Sequence, residues 1–332
     1  MKSEKSNLYV ACAYGEKLSE EARAVYATFP ADWNALYVRA IRDALAGKPL
    51  LLRRIRSVTA IDYPVPEGVE VREERFPTDA GELRVRFYCQ KHASEKSPAV
   101  LYVHGGGWCM GGVENCSLLC GKMAAELGVF VVVPEYRLAP EFPFPAALED
   151  VCAIAKMLRA RAADYGIDTG KIFWAGDSAG AQLCLTAALR LLDCRSEDLP
   201  CGLALLYPVT RMMPLAEEQG GSRAAYDAHS MLSNALLNVM ADAYAAETDR
   251  RSRELSPTET GLSGLPPTLI LAAECDILCD DAAVLAEKMR ADGVSVTHKV
   301  LAGLPHAFAL LPGFDAARKG LFAFFRDFGI CR

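Results

Sequence analysis

The sequence predicts an α/β fold in which a mostly parallel central sheet carries helices on its faces. Two observations lead there. From about residue 70 onward, short β-rich runs alternate with longer helical patterns, the order expected of a sheet covered on both sides. Several of those runs, Val129-Phe130-Val131-Val132-Val133 and Leu269-Ile270-Leu271-Ala272-Ala273 among them, are apolar throughout, as strands buried on both faces must be.

Taken in order, the expected strands are residues 83–89, 99–103, 129–133, 172–175, 202–207, 268–273 and 296–301. In the first, Arg84 and Arg86 alternate with Val85 and Phe87, the period of an outer strand with one wet face. The expected helices between the strands are 116–127, 146–165, 179–192, 280–291 and 315–328. Two regions break the alternation: residues 1–60 read as helices without strands, and about 210–255 are rich in Met and Ala. Both are expected to form a helical cap, giving one domain over 1–332. No internal repeat or low-complexity segment interrupts this order.

The composition fits such a core. Of 332 residues, 52% are hydrophobic and 23% charged, with a formal net charge of −6, as in a soluble globular protein. No run of Lys or Arg could track a phosphate backbone, which makes nucleic acid a poor partner. No apolar stretch reaches the ~20 residues of a membrane span. Residues 8–14, which include Ala11-Cys12-Ala13, follow a basic N-terminus. The stretch is short, lacks a Leu-rich centre and runs into charge at Glu16, so no export signal is expected. Twelve cysteines without a C-x-x-C suggest free thiols in a reducing cytoplasm. The pairs Cys116/Cys120 and Cys275/Cys279 read as packing; no second pair or His ligand accompanies either, so no metal site is expected.

The chemistry-bearing motif is Gly176-Asp177-Ser178-Ala179-Gly180, which follows the strand Ile172-Phe173-Trp174-Ala175 and opens an Ala/Leu-rich helix. In this strand–turn–helix setting G-x-S-x-G is a nucleophile elbow. A sharp turn lets Ser178 Oγ stand clear, and small residues on either side avoid collisions with neighbouring elements. The new helix also turns its free N–H groups toward the serine, which places the Ala179 amide to receive an oxyanion. A second motif, His104-Gly105-Gly106-Gly107, follows strand 99–103. Consecutive glycines are expected where backbone approaches a ligand closely, here a substrate oxyanion. His104 would brace this loop.

Serine needs a base, and there are five histidines. His92 lies in a polar linker, His229 in the expected cap, and His298 within a strand. His306 follows the last strand, at the carboxyl edge where open α/β sheets place their sites. The acid should follow another buried strand between Ser178 and His306, and Asp276 does. Asp280 and Asp281 fall where acidic residues ordinarily open a helix, and Glu274 would point to the other side of its strand. Ser178, Asp276 and His306 are thus the candidate triad.

Together, His104-Gly105-Gly106-Gly107-Trp108, Tyr136-Arg137-Leu138-Ala139-Pro140-Glu141, Gly176-Asp177-Ser178-Ala179-Gly180, Tyr207-Pro208, Asp276-Ile277-Leu278 and His306-Ala307-Phe308 resemble the hormone-sensitive-lipase-like esterases, the bacterial family IV or α/β-hydrolase fold-3 group. The resemblance runs from about residue 98 to the C-terminus. It implies an α/β-hydrolase fold with a helical cap, acting on small short-acyl esters without a cofactor, and it allows a homodimer. It assigns the oxyanion donors to the glycine loop, Gly105, Gly106 and Gly107 with Gly106 foremost, together with Ala179. Ala181 and Ala307 stand where the family usually has Gly, which bears on pocket shape more than on chemistry. Trp108, Phe142, Met212, Met213 and Tyr226 are candidates for the acyl pocket or for simple packing. An amidase or deacetylase would use the same triad, and a binding protein on the same fold would dispense with it.

Overall fold

The computed structural model describes residues 17–30, 32–91, 96–212, 221–227 and 231–332. Three helices, α1 (Glu20–Tyr26), α2 (Trp33–Leu45) and α3 (Leu50–Thr59), precede the sheet. Its strands are β1 (Val69–Thr78), β2 (Gly81–Gln90), β3 (Ser97–Val103), β4 (Phe130–Pro134), β5 (Ile167–Asp177), β6 (Gly202–Leu206), β7 (Thr268–Cys275) and β8 (Val296–Pro305). The helices among them are α4 (Ser117–Leu127), α5 (Ala146–Ala160), α6 (Ala179–Asp193), α7 (Gly221–Tyr226), α8 (Asn234–Ala245), α9 (Cys279–Ala291) and α10 (Asp315–Asp327). The segment expected as one helix over 146–165 divides at Arg161, where a short 3₁₀ turn (Ala162–Tyr165) follows α5.

The eight strands lie in the order β1-β2-β4-β3-β5-β6-β7-β8. β1 and β2 form an antiparallel hairpin, β2 meets β4 antiparallel, and every pair from β4 to β8 is parallel. β3, β4 and β6 are buried along their whole length, which is why their sequences lose the two-residue alternation. β1 was not expected. It is an edge strand paired only with β2, and Glu70, Arg72, Glu73, Glu74 and Arg75 crowd it. Edge strands commonly carry charge against further pairing, and here the charge also works across the hairpin: Glu73 accepts from Arg84 at 2.7 Å and from Arg86 at 2.8 Å.

The parallel half of the sheet sets up the site. β5, β7 and β8 all end at the same edge, and the residues that follow them are Ser178, Asp276 and His306. The eleven described cysteines are all free. Among the described residues, no helix is long and apolar enough to cross a membrane. His92, His229, Met213 and residues 8–14 lie outside the described residues.

Candidate active site

β5 delivers the chain into a turn at Ser178, whose backbone sits at φ 54°, ψ −120°. This is a strained conformation for any residue with a Cβ. The turn is held from the next strand, since the Ser178 amide donates to the Leu206 carbonyl at 2.9 Å. It is also tightly packed. A Cβ on Gly180 would overlap the Val103 carbonyl oxygen, and one on Gly176 would come within 2.6 Å of the Gly180 carbonyl carbon. The elbow therefore needs glycine at both ends, because α6 starts in contact with β3.

Ser178 Oγ lies 2.9 Å from His306 Nε2, and His306 Nδ1 lies 2.6 Å from Asp276 Oδ2. A carboxylate only accepts, so Nδ1 carries a proton and the Nε2 lone pair faces the serine hydroxyl. Asp276 is fully buried, and its Oδ1 accepts the Leu278 amide at 3.1 Å, which fixes the carboxylate from its own loop. The Tyr207 ring meets the His306 ring edge-on at 4.9 Å. Glu274 points elsewhere and accepts the Gly303 amide at 2.8 Å.

The glycine loop faces Ser178 from the end of β3. Gly106 has φ +111°, and a Cβ there would overlap the Met110 carbonyl, so only glycine makes this turn without strain. The amides of Cys109 and Met110 close the loop onto the Gly106 carbonyl at 3.2 and 2.9 Å. His104 lies beneath it, stacked on Tyr136 with centroids 4.1 Å apart, and its Nδ1–H donates to the Gly105 carbonyl at 2.8 Å. The Tyr136 hydroxyl donates to the His104 carbonyl at 2.9 Å. Burial lowers the His104 pKa to about 4, so the ring is neutral near pH 7. Asp177 is also buried, and burial raises its pKa to about 6 against the hydrogen bonds from the Tyr102 hydroxyl and the Gly105 amide.

These groups open onto a cavity of about 720 Å³. Ser178, His306 and the three loop glycines form its floor; Trp33 and Tyr37 of α2, Leu236, Leu237 and Met240 of α8, and Leu310 and Leu311 after β8 form its walls. An apolar cavity with a few convergent polar groups at one end is the usual form of a small-molecule site.

Residues 100–310 match the alpha/beta hydrolase fold family. The chain belongs to it. It is 35% identical over 259 residues to the carboxylesterase NlhH of Mycobacterium tuberculosis, a match covering 76% of this chain and 79% of that protein. It is 32% identical over 248 residues to the ethyl acetate hydrolase of Pseudomonas putida, covering 73% and 77%. Among solved structures, the esterase of Pyrobaculum calidifontis superposes with a TM-score of 0.77 at 29% identity, over 95% of this chain and all of that one. The protein is a serine carboxylesterase of the hormone-sensitive-lipase-like, family IV kind.

One expectation for this esterase needs correction, and one open choice is decided. Gly105 was expected to offer its amide to the oxyanion, but that amide is spent on Asp177 Oδ1 at 2.9 Å. The amides of Gly106 and Gly107 have no acceptor among the described residues, and Ala179 opens α6, so its N–H has none within the helix. Of the two readings of the acyl-pocket candidates, pocket or simple packing, the pocket reading falls away, since none of the four described residues lines the cavity. Trp108 stacks on Tyr244 behind the loop, with centroids 5.0 Å apart, and donates from Nε1 to Gln182. Phe142 is half exposed, and Met212 and Tyr226 are packed in the core.

Ala307 takes φ 62°, the left-handed region in which glycine is free of strain. This accounts for the family's usual glycine beside the base. What sequence reasoning missed is Asp177 as a tie between elbow and glycine loop, and the apolar wall contributed by α2 and α8. A buried Asp before the nucleophile was the available signal for the first. The wall carried none, because apolar helix residues facing a cavity read like core.

Proposed function

We propose that the esterase hydrolyses short-chain acyl esters through an acyl-enzyme on Ser178. Ser178 Oγ bonds to the ester carbonyl carbon while His306 Nε2 takes the hydroxyl proton, and the carbonyl π electrons move to oxygen. The amides of Gly106, Gly107 and Ala179 hold that oxyanion. Collapse re-forms the carbonyl and breaks the bond to the alcohol oxygen, which receives the proton from His306. Water then repeats the sequence, giving up a proton to His306, and the carboxylic acid leaves as Oγ regains it. Asp276 keeps Nδ1 protonated, so Nε2 is the atom that exchanges protons, and it stabilises the imidazolium formed in each half-reaction.

The observation that carries this reading is the hydrogen-bonded series Ser178–His306–Asp276 at 2.9 and 2.6 Å on the cavity floor. The short acyl preference draws support from relatives named ethyl acetate hydrolase and acetyl-hydrolase. The cavity, at about 720 Å³, has space beyond a short acyl chain, and an apolar alcohol portion would occupy it. In this reading α1, α2 and α8 act as the cap that shields the reacting ester from water. No step calls on a metal or cofactor.

Hydrolysis of p-nitrophenyl acetate through decanoate by the wild type and by Ser178→Ala tests both parts. Activity that peaks at short chains and disappears in the variant is expected. Equal activity in both proteins would remove Ser178 as nucleophile, and a peak at decanoate would overturn the chain-length reading.

A further inference from the structure

The charge of this chain is unevenly distributed. Residues 33–61 hold six basic side chains, Arg39, Arg42, Lys48, Arg53, Arg54 and Arg56, against one acid, Asp43. That segment carries +5 in a chain of net −6, so the remaining residues together carry −11. The same segment is rich in apolar side chains that fail to pack. Among the described residues nine large hydrophobic side chains are exposed, and five of them, Leu36, Leu45, Leu50, Val58 and Ile61, lie here.

Helix geometry sets the two features beside each other on both helices. On α3 the i, i+4, i+8 row is Leu50, Arg54, Val58, while Leu52 and Ile55 face inward and are buried. On α2 Arg39 and Arg42 lie on the side opposite the buried Ala40 and Ile41, and the exposed Leu36 and Leu45 flank them about 180° apart around the helix. Some of the cations are paired: Arg39 with Asp43 at 3.7 Å, and Arg53 and Arg56 with Glu141 at 3.8 and 2.9 Å. Among the described residues Arg42, Lys48 and Arg54 have no acidic partner. The face reaches the cavity, since Ile61 is 49% exposed and also lines it.

We propose that the outward face of α2 and α3 docks the esterase onto an anionic lipid surface, so that esters dissolved in that surface enter the cavity beside Ile61. Aliphatic side chains interleaved with cations suit the boundary between headgroups and acyl chains. Of the three cations without an acidic partner, two are Arg, whose planar fork matches phosphate. A nucleic acid would satisfy the cations and leave five aliphatic side chains wet. The substrate class that follows, resting on the esterase reading above, is short-acyl esters of lipophilic alcohols.

The test uses the full chain with vesicles of phosphatidylcholine, with and without phosphatidylglycerol, at low and high salt. The wild type is expected to sediment with the anionic vesicles only and to be released by salt. Each cation lost from such a surface weakens binding by about five-fold, so R42E/R54E is expected to lower partitioning by at least about 25-fold; L50S/V58S should weaken it at low salt, where the wild type is bound. Both variants should keep wild-type turnover of p-nitrophenyl acetate in solution and lose hydrolysis of hexadecyl acetate carried in anionic vesicles. Failure of the wild type to bind, or undiminished binding by R42E/R54E, overturns the proposal. So does sedimentation velocity showing that these variants separate two copies of the chain. Absence of p-nitrophenyl acetate turnover in the wild type would instead sink the esterase reading, leaving the vesicle measurement to be judged alone.

Discussion

Asp177 Oδ1 accepts the Gly105 amide at 2.9 Å, and the same oxygen accepts the Tyr102 hydroxyl at 2.7 Å. The residue before Ser178 thus anchors the first glycine of the loop that faces it. Asp177→Ala would leave two buried donors unsatisfied, each at about 1–3 kcal/mol. We expect kcat/KM for p-nitrophenyl acetate to fall about 10- to 100-fold. Asp177→Asn keeps an oxygen at that place and should stay within about five-fold of wild type. Equal losses in both variants would mean that the carboxylate's charge, and not the tie, is what matters.

Asp177 and His104 give opposite pH dependences. Burial raises the Asp177 pKa to about 6, above its unfolded value, so the folded state binds the extra proton between about pH 4 and 6 and stability falls as pH rises through that window. Burial lowers the His104 pKa to about 4, so between about pH 4 and 6.5 the unfolded state binds the extra proton and stability falls as pH drops. Each effect is on the order of 3 kcal/mol across its window, and in the wild type they largely cancel. Urea melts of Asp177→Asn should show a steeper loss of stability on acidification from about pH 6.5 to 4 than wild type. Parallel curves would show that Asp177 is ionised in the folded protein throughout.

Gly180→Ala tests the elbow. Its Cβ would meet the carbonyl oxygens of Val103 and His104, which belong to backbone and cannot rotate away. Overpacking of this kind costs about 1–3 kcal/mol or more, and here the shift would displace Ser178 as well. Expected are a lower Tm and a loss of at least about 100-fold in kcat, read by calorimetry and ester hydrolysis on one preparation.

Ala307 holds a left-handed φ of 62° beside His306. Ala307→Gly removes strain of about 1–2 kcal/mol but loosens the unfolded chain by about 0.4–1 kcal/mol. Its stability should lie at or up to about 1.6 kcal/mol above wild type, with kcat little changed. Ala307→Val should destabilise and slow the enzyme, because a β-branched side chain tolerates this conformation poorly. Urea unfolding of the pair decides it.

Arg56 reaches from α3 to four acceptor atoms: the Cys109 carbonyl at 2.7 Å, the Ala139 carbonyl at 2.6 Å, and both Glu141 oxygens at 2.9 and 3.0 Å. Arg56→Met should cost about 1.5–3 kcal/mol. Arg56→Lys should recover little of it, since an ammonium cannot span the same fork. Full rescue by Lys would show that charge alone holds the helix down.

Much of the architecture could be read from the chain because buried parallel strands leave a mark: β4 and β7 are apolar on both faces and too short for buried helices. β1 was illegible for the opposite reason, being an edge strand whose charges resemble a loop. Ser178, Asp276 and His306 emerged by their order and by the strands they follow. The fate of Gly105 did not, since three consecutive glycines look alike and only the position of Asp177 distinguishes one amide from the next. Trp108 shows the same limit from another side. Residue type announced an aromatic surface, but the direction it faces is set by Tyr244 and Gln182, 136 and 74 positions along the chain.

The separation of Ser178 from His306 by 128 residues has a bearing on how the cell makes this protein. A ribosome makes the glycine loop and the elbow first, and His306 follows Ser178 only after a further 128 residues. Until then the serine is an ordinary alcohol. On the proposed mechanism, a chain that stops short of His306 holds the elbow and the glycine loop but no acceptor for the Ser178 proton.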